Sequence, residues 1–313
     1  MTNSEDRIRT VVMLTNPAAG HGNAPHAAER AAARFQQRGV DVVQIVGRDA
    51  AHAAALVQDA LAREVKGRPV DALVVAGGDG VISLGWQAVA GTSIPLGIVP
   101  AGTGNDHARE FGLPTGDPEA AVDAVVDGVA TTIDLGHFRG DDGTERWFGT
   151  VMATGFDSLV SDRVNRMRWP HGRMRYNLAI LAEFGRLRPL AFTLDLGDGR
   201  TVEQDATLVA FGNTRTYGGG MRITPGADRG DGLLDVTVVA ATSRTRLVRF
   251  FPRLFTGTHI DLDDVATYRA RSVRVECAGI NAYADGELIG PLPGVVSAIP
   301  GAGRIIGGSA ARA

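Results

Sequence analysis

The chain has 313 residues, 44% hydrophobic and 21% charged, with a formal net charge of −3. This length exceeds one small core and predicts two domains, and the charge offers no broad basic field, so no nucleic-acid partner is expected. A single cysteine, Cys277, excludes an internal disulfide framework and a cysteine-based zinc site, and the seven histidines form no HxxxH or HExxH pair. No apolar run approaches the length of a membrane-spanning helix, and the opening MTNSEDRIRT lacks the apolar core of a signal peptide. The expected protein is cytoplasmic, with no transmembrane segment.

In chain order, residues 9–15 (RTVVMLT) read as a buried strand and 16–23 (NPAAGHGN) as a turn of breakers. An Ala-rich helix is predicted over 24–38, a strand over 40–46, a helix over 50–65 and a strand over 70–76, which enters Gly77-Gly78-Asp79-Gly80. A helix over 82–90, a strand over 95–99, the loop PAGTGND and a helix over 117–127 follow. Strand and helix in turn imply a parallel sheet covered on both faces, a Rossmann-like three-layer α/β domain. Beyond about residue 133 the pattern becomes short alternating segments at 146–153, 191–196, 206–212, 233–240, 267–277 and 281–284, interrupted by helices near 173–186 and 244–255. This reads as a mainly antiparallel β-sandwich. The expected division is 1–133, with 292–313 returning to it, and 134–291. The tail GAGRIIGGSAARA is expected to fray at its end.

Three breaker-rich loops fall at strand carboxyl ends, where such sheets bind ligands. Glycines let a backbone approach a phosphate closely, and a helix N-terminus presents unpaired N–H groups. Gly77, Gly78, Gly80, Gly102, Thr103 and Asn105 are candidates, with Asn16, Pro17, Ala18, Ala19 and Gly20 as a third turn. Asn105 and Asp106 are expected to cap the helix that begins near His107. Asp79 is the anomaly. A carboxylate in an anion-binding turn repels the anion unless a cation lies between them, or the aspartate serves as a turn or cap. No GxxxxGK[ST] and no GxGxxG with its downstream acid occurs.

The NPAAG loop, GGDG and PAGTGND together resemble the catalytic domain of the diacylglycerol kinase family, most closely its soluble bacterial lipid kinases, related to sphingosine and ceramide kinases. Later matches extend the resemblance over nearly the whole chain: Thr154-Gly155-Phe156-Asp157, Gly212-Asn213, Gly218-Gly219-Gly220-Met221, Pro225-Gly226-Ala227, Asp231-Gly232-Leu233-Leu234-Asp235 and Asp285-Gly286-Glu287. The resemblance implies an ATP- and Mg²⁺-dependent kinase that phosphorylates a lipid hydroxyl, with diacylglycerol the leading acceptor. GGDG would lie along the nucleotide phosphates, with Asp79 in a magnesium-linked acidic centre. Here Val81 and Ser83 stand where the family usually has Thr and Asn, and Val46 where a threonine is often found.

In TPGADRGDGLLDV, two acids in a glycine turn suit a hard cation or a plain hairpin. The resemblance implies a structural magnesium held by the Asp231 side chain with the carbonyls of Asp228 and Leu233. It assigns the general base to the late DGE, with Glu287 favoured and Asp285 as base, magnesium ligand or orienting group. A D-G β-turn is the bland alternative. The late DGE is expected at an interdomain cleft. The basic, aromatic-bearing stretch 163–188 is either a solvated helix or the flank of a lipid entrance, which would make the protein peripheral on the inner membrane face. A homodimer is possible. Two rival readings stand beside the lipid kinase. One is a NAD kinase-like enzyme with a soluble acceptor; the other is a non-catalytic nucleotide- or lipid-binding regulator.

Overall fold

A computed structural model of the chain describes residues 8–15, 23–167 and 188–307, together with 178, 182, 183 and 185. The proposed phosphate turn Asn16–Gly20 and most of the basic stretch, including Arg168, Trp169, Arg173, Tyr176 and Phe184, lie outside the described residues. The chain divides into two compact units, Met1–Leu135 with Pro300–Ala313, and Gly136–Ile299.

In the first unit, β1 (Thr10–Thr15), β2 (Asp41–Val46), β3 (Ala72–Gly77) and β4 (Leu96–Pro100) pair in parallel, in the order β4-β3-β1-β2. Every residue of β1, β3 and β4 is buried, as expected for strands covered on both faces. β2 is the edge strand, and Val46 at its end is 51% exposed. Helices α1 (Asn23–Gln37), α2 (Ala50–Leu61), α3 (Asp79–Val89), α4 (Asp106–Glu110) and α5 (Pro118–Asp127) connect and cover the strands. Phe35, Ala31, Val122 and Val125 of α1 and α5 pack with Val11, Met13 and Val74 on one face. Burying a phenylalanine such as Phe35 completely contributes about 2–3 kcal/mol. The same two helices are laced by arginines: Arg34 meets Asp123 at 2.7 Å, and Arg38 reaches both Asp123 and Asp127. On the other face α3 lies close enough that a Cβ at Gly85 would sit 2.8 Å from Val75. Asp49 and Asp117 cap α2 and α5 through the N–H groups of His52 and Ala120.

Two long strands carry the chain out of this unit and back. They are β5 (Ala130–Gly140) and β15 (Gly294–Ile306), which is parallel to β4 at Ile305. Asp134, buried in β5, accepts the Gly301 N–H at 2.9 Å. β15 was not expected, because Pro300, Gly301 and Gly303 break the strand pattern; the tail is strand through Ile306, and the end expected to fray lies outside the described residues.

The second unit is antiparallel and sandwich-like. β9 (Thr201–Gly212) is its central strand, pairing with β7 (Val151–Gly155), β8 (Leu190–Asp195) and β10 (Leu234–Ala240). β11 (Val265–Ala270) pairs with β10, β12 (Ser272–Glu276) with β8, β6 (Glu145–Phe148) with β5, and β13 (Asn281–Ala284) with β7 and β14 (Glu287–Pro291). Alternation along β9 gives two faces. Val209 and Phe211 join a core with Phe138, Phe148, Phe192 and Val236, while Leu208 and Ala210 meet α7 (Arg244–Thr256). One further helix, α6 (Phe156–Arg166), had no counterpart in the sequence reading, since the TGFD motif that opens it carries no helix-start signal. The expected strand 146–153 is two strands, as is 267–277.

Candidate active site

In the first unit β3 delivers the chain into Gly77-Gly78, and α3 begins at once with Asp79, three residues earlier than the apolar pattern implies. Gly78 is the extended N-cap residue and supplies no side-chain cap; its carbonyl accepts the Val81 and Ile82 N–H groups at 3.0 and 3.1 Å, which leaves the N–H groups of Asp79 and Gly80 as the donors a helix start offers an anion. The PAGTGND loop lies directly against it. A Cβ on Gly102 would come within 2.6 Å of the Gly78 Cα, and one on Gly78 within 3.2 Å of the Gly102 Cα. Two bare backbones touch here, and only glycine permits that approach.

Asn105 is left-handed (φ 54°) and its Oδ1 accepts the Gly102 N–H at 3.0 Å, folding the loop back on itself. It does not cap α4 with its side chain. Asp79 does that instead, from the neighbouring loop: its Oδ1 accepts the His107 N–H at 3.2 Å and meets the His107 Nδ1 at 3.0 Å. His107 is fully buried between Trp86 and Phe111, with ring centroids 6.5 and 6.2 Å away. Burial alone would raise the Asp79 pKa. The His107 ring and main-chain donors, with the Asp106 N–H, outweigh it and hold the carboxyl below the usual range. The aspartate in the glycine turn thus fastens one loop to the other.

Thr103 is exposed and its hydroxyl is available to an anion. Gly104 lies between two acids, since a Cβ there would sit 2.8 Å from Asp79 Oδ2 and 3.6 Å from Asp106 Oδ2. Bare-backbone N–H groups suit phosphates. The Asp106 carboxylate is already paired with Arg109, 3.2 Å from its Oδ1, and the same guanidinium donates to the Gly104 carbonyl, so Asp79 Oδ2 is the oxygen here that suits a hard cation. Val81 is 4% exposed and packs beneath Gly77 rather than toward the outer side of the turn, and Ser83 is buried as well.

In the second unit Asp285 and Glu287 stand on the β13–β14 turn in different environments. Asp285 is left-handed (φ 53°) and buried, and accepts the Gly149 N–H at 2.9 Å, the Thr150 N–H at 3.1 Å and the Thr150 hydroxyl. Asn213 holds the same 149–150 turn from the other side, donating to the Gly149 carbonyl at 3.0 Å. Asp285 is therefore an anchored carboxylate. The Glu287 side chain reaches solvent, and no hydrogen bond to it is seen among the described residues. Partial desolvation by the surrounding protein raises its pKa, and the neighbouring Asp285 charge adds to the rise. Asp157 of the TGFD motif is pushed up to about 6 by burial, opposed by the Tyr217 hydroxyl that bonds it.

The turn 228–235 is occupied by protein charge. Asp231 Oδ1 accepts the Leu233 N–H at 2.9 Å, its other oxygen pairs with Arg269, and the Arg269 Nε lies 3.3 Å from Asp235. The Asp228 carbonyl accepts the Asp231 N–H at 3.4 Å. Burial raises the Asp235 carboxyl; Arg269 opposes this, and the Asp231 and Asp228 carboxylates add to it. Both Asp231 oxygens are engaged, one by the Leu233 N–H and the other by Arg269, so an ion bound in this turn would have to displace the guanidinium. No cluster of three His, Cys, Asp or Glu suited to a metal occurs among the described residues. Thr150 and Arg269 were not singled out from the sequence, and His107 only as the start of a helix; no local signal marks their roles.

Residues 10–138 match the diacylglycerol kinase catalytic domain, and residues 150–307 match the YegS C-terminal NAD kinase beta sandwich-like domain. A Mycobacterium tuberculosis protein named diacylglycerol kinase is 58% identical over 299 residues, covering 96% of this chain and 95% of its own. The chain belongs to the diacylglycerol kinase family. Another relative of this kinase, a Stenotrophomonas maltophilia protein named probable lipid kinase YegS-like, is 32% identical over 75% of this chain and 78% of its own. A crystal structure described as a diacylglycerol kinase from Bacillus anthracis superposes with a TM-score of 0.76, covering 98% of this chain and 99% of that one. At 21% identity that likeness supports the fold alone. No helix among the described residues of the kinase is long and apolar enough to cross a membrane.

Proposed function

We propose that this kinase transfers the γ-phosphate of ATP to the hydroxyl of a membrane lipid, with diacylglycerol as acceptor and phosphatidic acid as product. The observation that carries the reading is Glu287, a carboxylate with a raised pKa and no hydrogen-bond partner among the described residues, beside an anchored Asp285. The names of the relatives at 58% and 32% identity support the lipid acceptor.

The ATP phosphates lie along Gly77–Gly80 and Gly102–Asn105, held by main-chain N–H groups and the Thr103 hydroxyl. Asp79 Oδ2, beside Gly104, would hold Mg²⁺, which when bound screens the phosphate charge. Glu287 takes the proton of the primary hydroxyl. The hydroxyl oxygen forms its bond to the γ-phosphorus as the bond from that phosphorus to the bridging oxygen breaks, and ADP leaves. Asp285, with its oxygens committed to Gly149 and Thr150, keeps the turn in place and raises the basicity of Glu287 by its charge.

Transfer of label from γ-labelled ATP to a panel of lipids in mixed micelles tests the proposal. Label in phosphatidic acid, dependent on Mg²⁺, is the expected result. Label confined to a soluble acceptor, or found in no acceptor, overturns it.

A further inference from the structure

Among the described residues seven large apolar side chains are exposed, and three of them fall within residues 244–261: Val248 and Phe255, each 58% exposed, on α7, and Ile260, 39% exposed, in the 3₁₀ turn Thr258–Asp261 that follows. The inner face of α7 is satisfied, with Leu247, Phe250 and Leu254 buried against Leu208, Ala210 and Val239. The outer face carries Val248, Pro252 and Phe255 at steps of four and three, one stripe along the helix. The exposed Arg249, Arg253 and Arg246 lie to one side of the stripe, about 100–160° round the helix from Val248, and the helix contains no acidic residue. Arg246 has Asp264 only at 3.9 Å, and Arg249 and Arg253 have no acidic partner among the described residues. In a chain of net charge −3 this ridge is a local cationic feature.

We infer that α7 is a membrane-docking helix, which lays Val248, Pro252 and Phe255 into the surface of an anionic bilayer while its arginines meet lipid phosphates. The inference rests on the lipid-kinase reading for its purpose but on α7 alone for its physics. An interfacial helix needs an apolar strip, flanking cations and no shape complementarity, and arginine pairs with phosphate through two parallel hydrogen bonds. An acidic protein partner fits less well, because a stripe three side chains wide falls short of the roughly 800 Å² per partner that stable protein interfaces bury. α7 is also linked to the proposed base within its own unit. Phe251 packs with Phe156 and Val160 of α6, whose Asp162 and Asn165 bond the Tyr283 hydroxyl at 2.6 and 3.2 Å, two residues before Asp285.

Sedimentation of the full chain with phosphatidylcholine vesicles, and with equimolar phosphatidylcholine–phosphatidylglycerol vesicles, tests the inference. Two paired variants at exposed positions are compared with wild type, Arg249→Glu/Arg253→Glu and Val248→Ser/Phe255→Ser, each checked for an unchanged thermal transition. Wild type is expected to prefer the anionic vesicles, and each pair to weaken binding roughly tenfold or more. Both pairs should keep activity on detergent-dispersed diacylglycerol and lose it on vesicles. Equal vesicle binding by wild type and variants overturns the inference while leaving the kinase reading intact. Absence of wild-type binding to either vesicle also overturns it, as does a wild-type dimer that Phe255→Ser dissociates in place of vesicle binding. Vesicle binding lost in both pairs, with no lipid phosphorylated by wild type, supports the docking helix and removes the lipid-kinase reading.

Discussion

The Asp79 carboxylate and the His107 imidazole meet at 3.0 Å, and the same carboxylate oxygen accepts the His107 main-chain N–H at 3.2 Å. One residue at the start of α3 thereby fixes the start of α4, and this contact adds to the Ala101 N–H bond to the Gly77 carbonyl at 2.9 Å in holding the two glycine loops together. His107→Phe keeps the apolar filling between Trp86 and Phe111 but removes the ring donor. A charge-assisted hydrogen bond is worth about 1.5–3 kcal/mol, so the KM for ATP is expected to rise by roughly tenfold or more. Steady-state kinetics, with His107→Gln recovering part of the loss, checks this.

Acid stability follows from the same carboxyl. Because the folded Asp79 is a stronger acid than the unfolded one, its contribution is complete above the unfolded aspartate pKa of about 3.9 and is lost as pH falls through the lower folded value. The difference in Tm between wild type and Asp79→Asn is expected to be flat from about pH 7 to 5 and to close below about pH 4. A difference that widens on acidification contradicts this assignment.

Glu287 predicts the acid limb of the rate profile. A base must be deprotonated to act, so kcat/KM falls as pH drops through its pKa, which partial desolvation and the Asp285 charge hold above the ordinary glutamate value of about 4.3. Asp285→Asn removes the neighbouring charge and moves that limb to lower pH. Glu287→Gln abolishes the limb together with most of the rate.

Asp285 has a structural cost as well. Asp285→Ala strips the buried N–H groups of Gly149 and Thr150 of their acceptor and leaves alanine at a left-handed φ of 53°. The loss is about 2–4 kcal/mol, visible as a lower urea midpoint with an unchanged m-value.

The pairing of Arg269 with Asp231 and Asp235 predicts a turn 228–235 that holds without metal. Wild type is expected to show the same Tm in Mg²⁺ and in chelator at low ATP-free protein concentration. Arg269→Ala frees the oxygens of Asp231 and Asp235, costs no more than about 1 kcal/mol as a partly exposed pair, and makes the Tm respond to Mg²⁺. A wild-type Tm that falls on chelation contradicts the arginine assignment.

Much of the α/β unit was legible because its strands are uninterrupted apolar runs and its turns are glycine- and proline-rich, so period and punctuation agree. The start of α3 was displaced because Gly78-Asp79-Gly80 reads as turn, while the structure begins the helix on Asp79 itself. β15 was hidden by Pro300 and two glycines, which pairing tolerates and local propensity does not. In the candidate site the motif residues were legible and their partners were not. Asp79 finds His107 across 28 positions, Asp285 finds Thr150 across 135, and Asp231 finds Arg269 across 38. Such pairings are made by the fold, and no local periodicity encodes them. The outer face of α7 was equally hidden, since only burial separates its exposed Val248 and Phe255 from the apolar residues beside them.

The most direct measurement is single-turnover transfer from γ-labelled ATP to micellar diacylglycerol by wild type, Glu287→Gln and Asp285→Asn, with ATP binding measured on each. Formation of labelled phosphatidic acid by wild type, a loss of about a hundredfold or more in Glu287→Gln with ATP affinity retained, and a smaller loss in Asp285→Asn is the predicted result. Transfer by Glu287→Gln at the wild-type rate, or loss in that variant matched by loss of ATP binding, contradicts the assignment of Glu287 as the base.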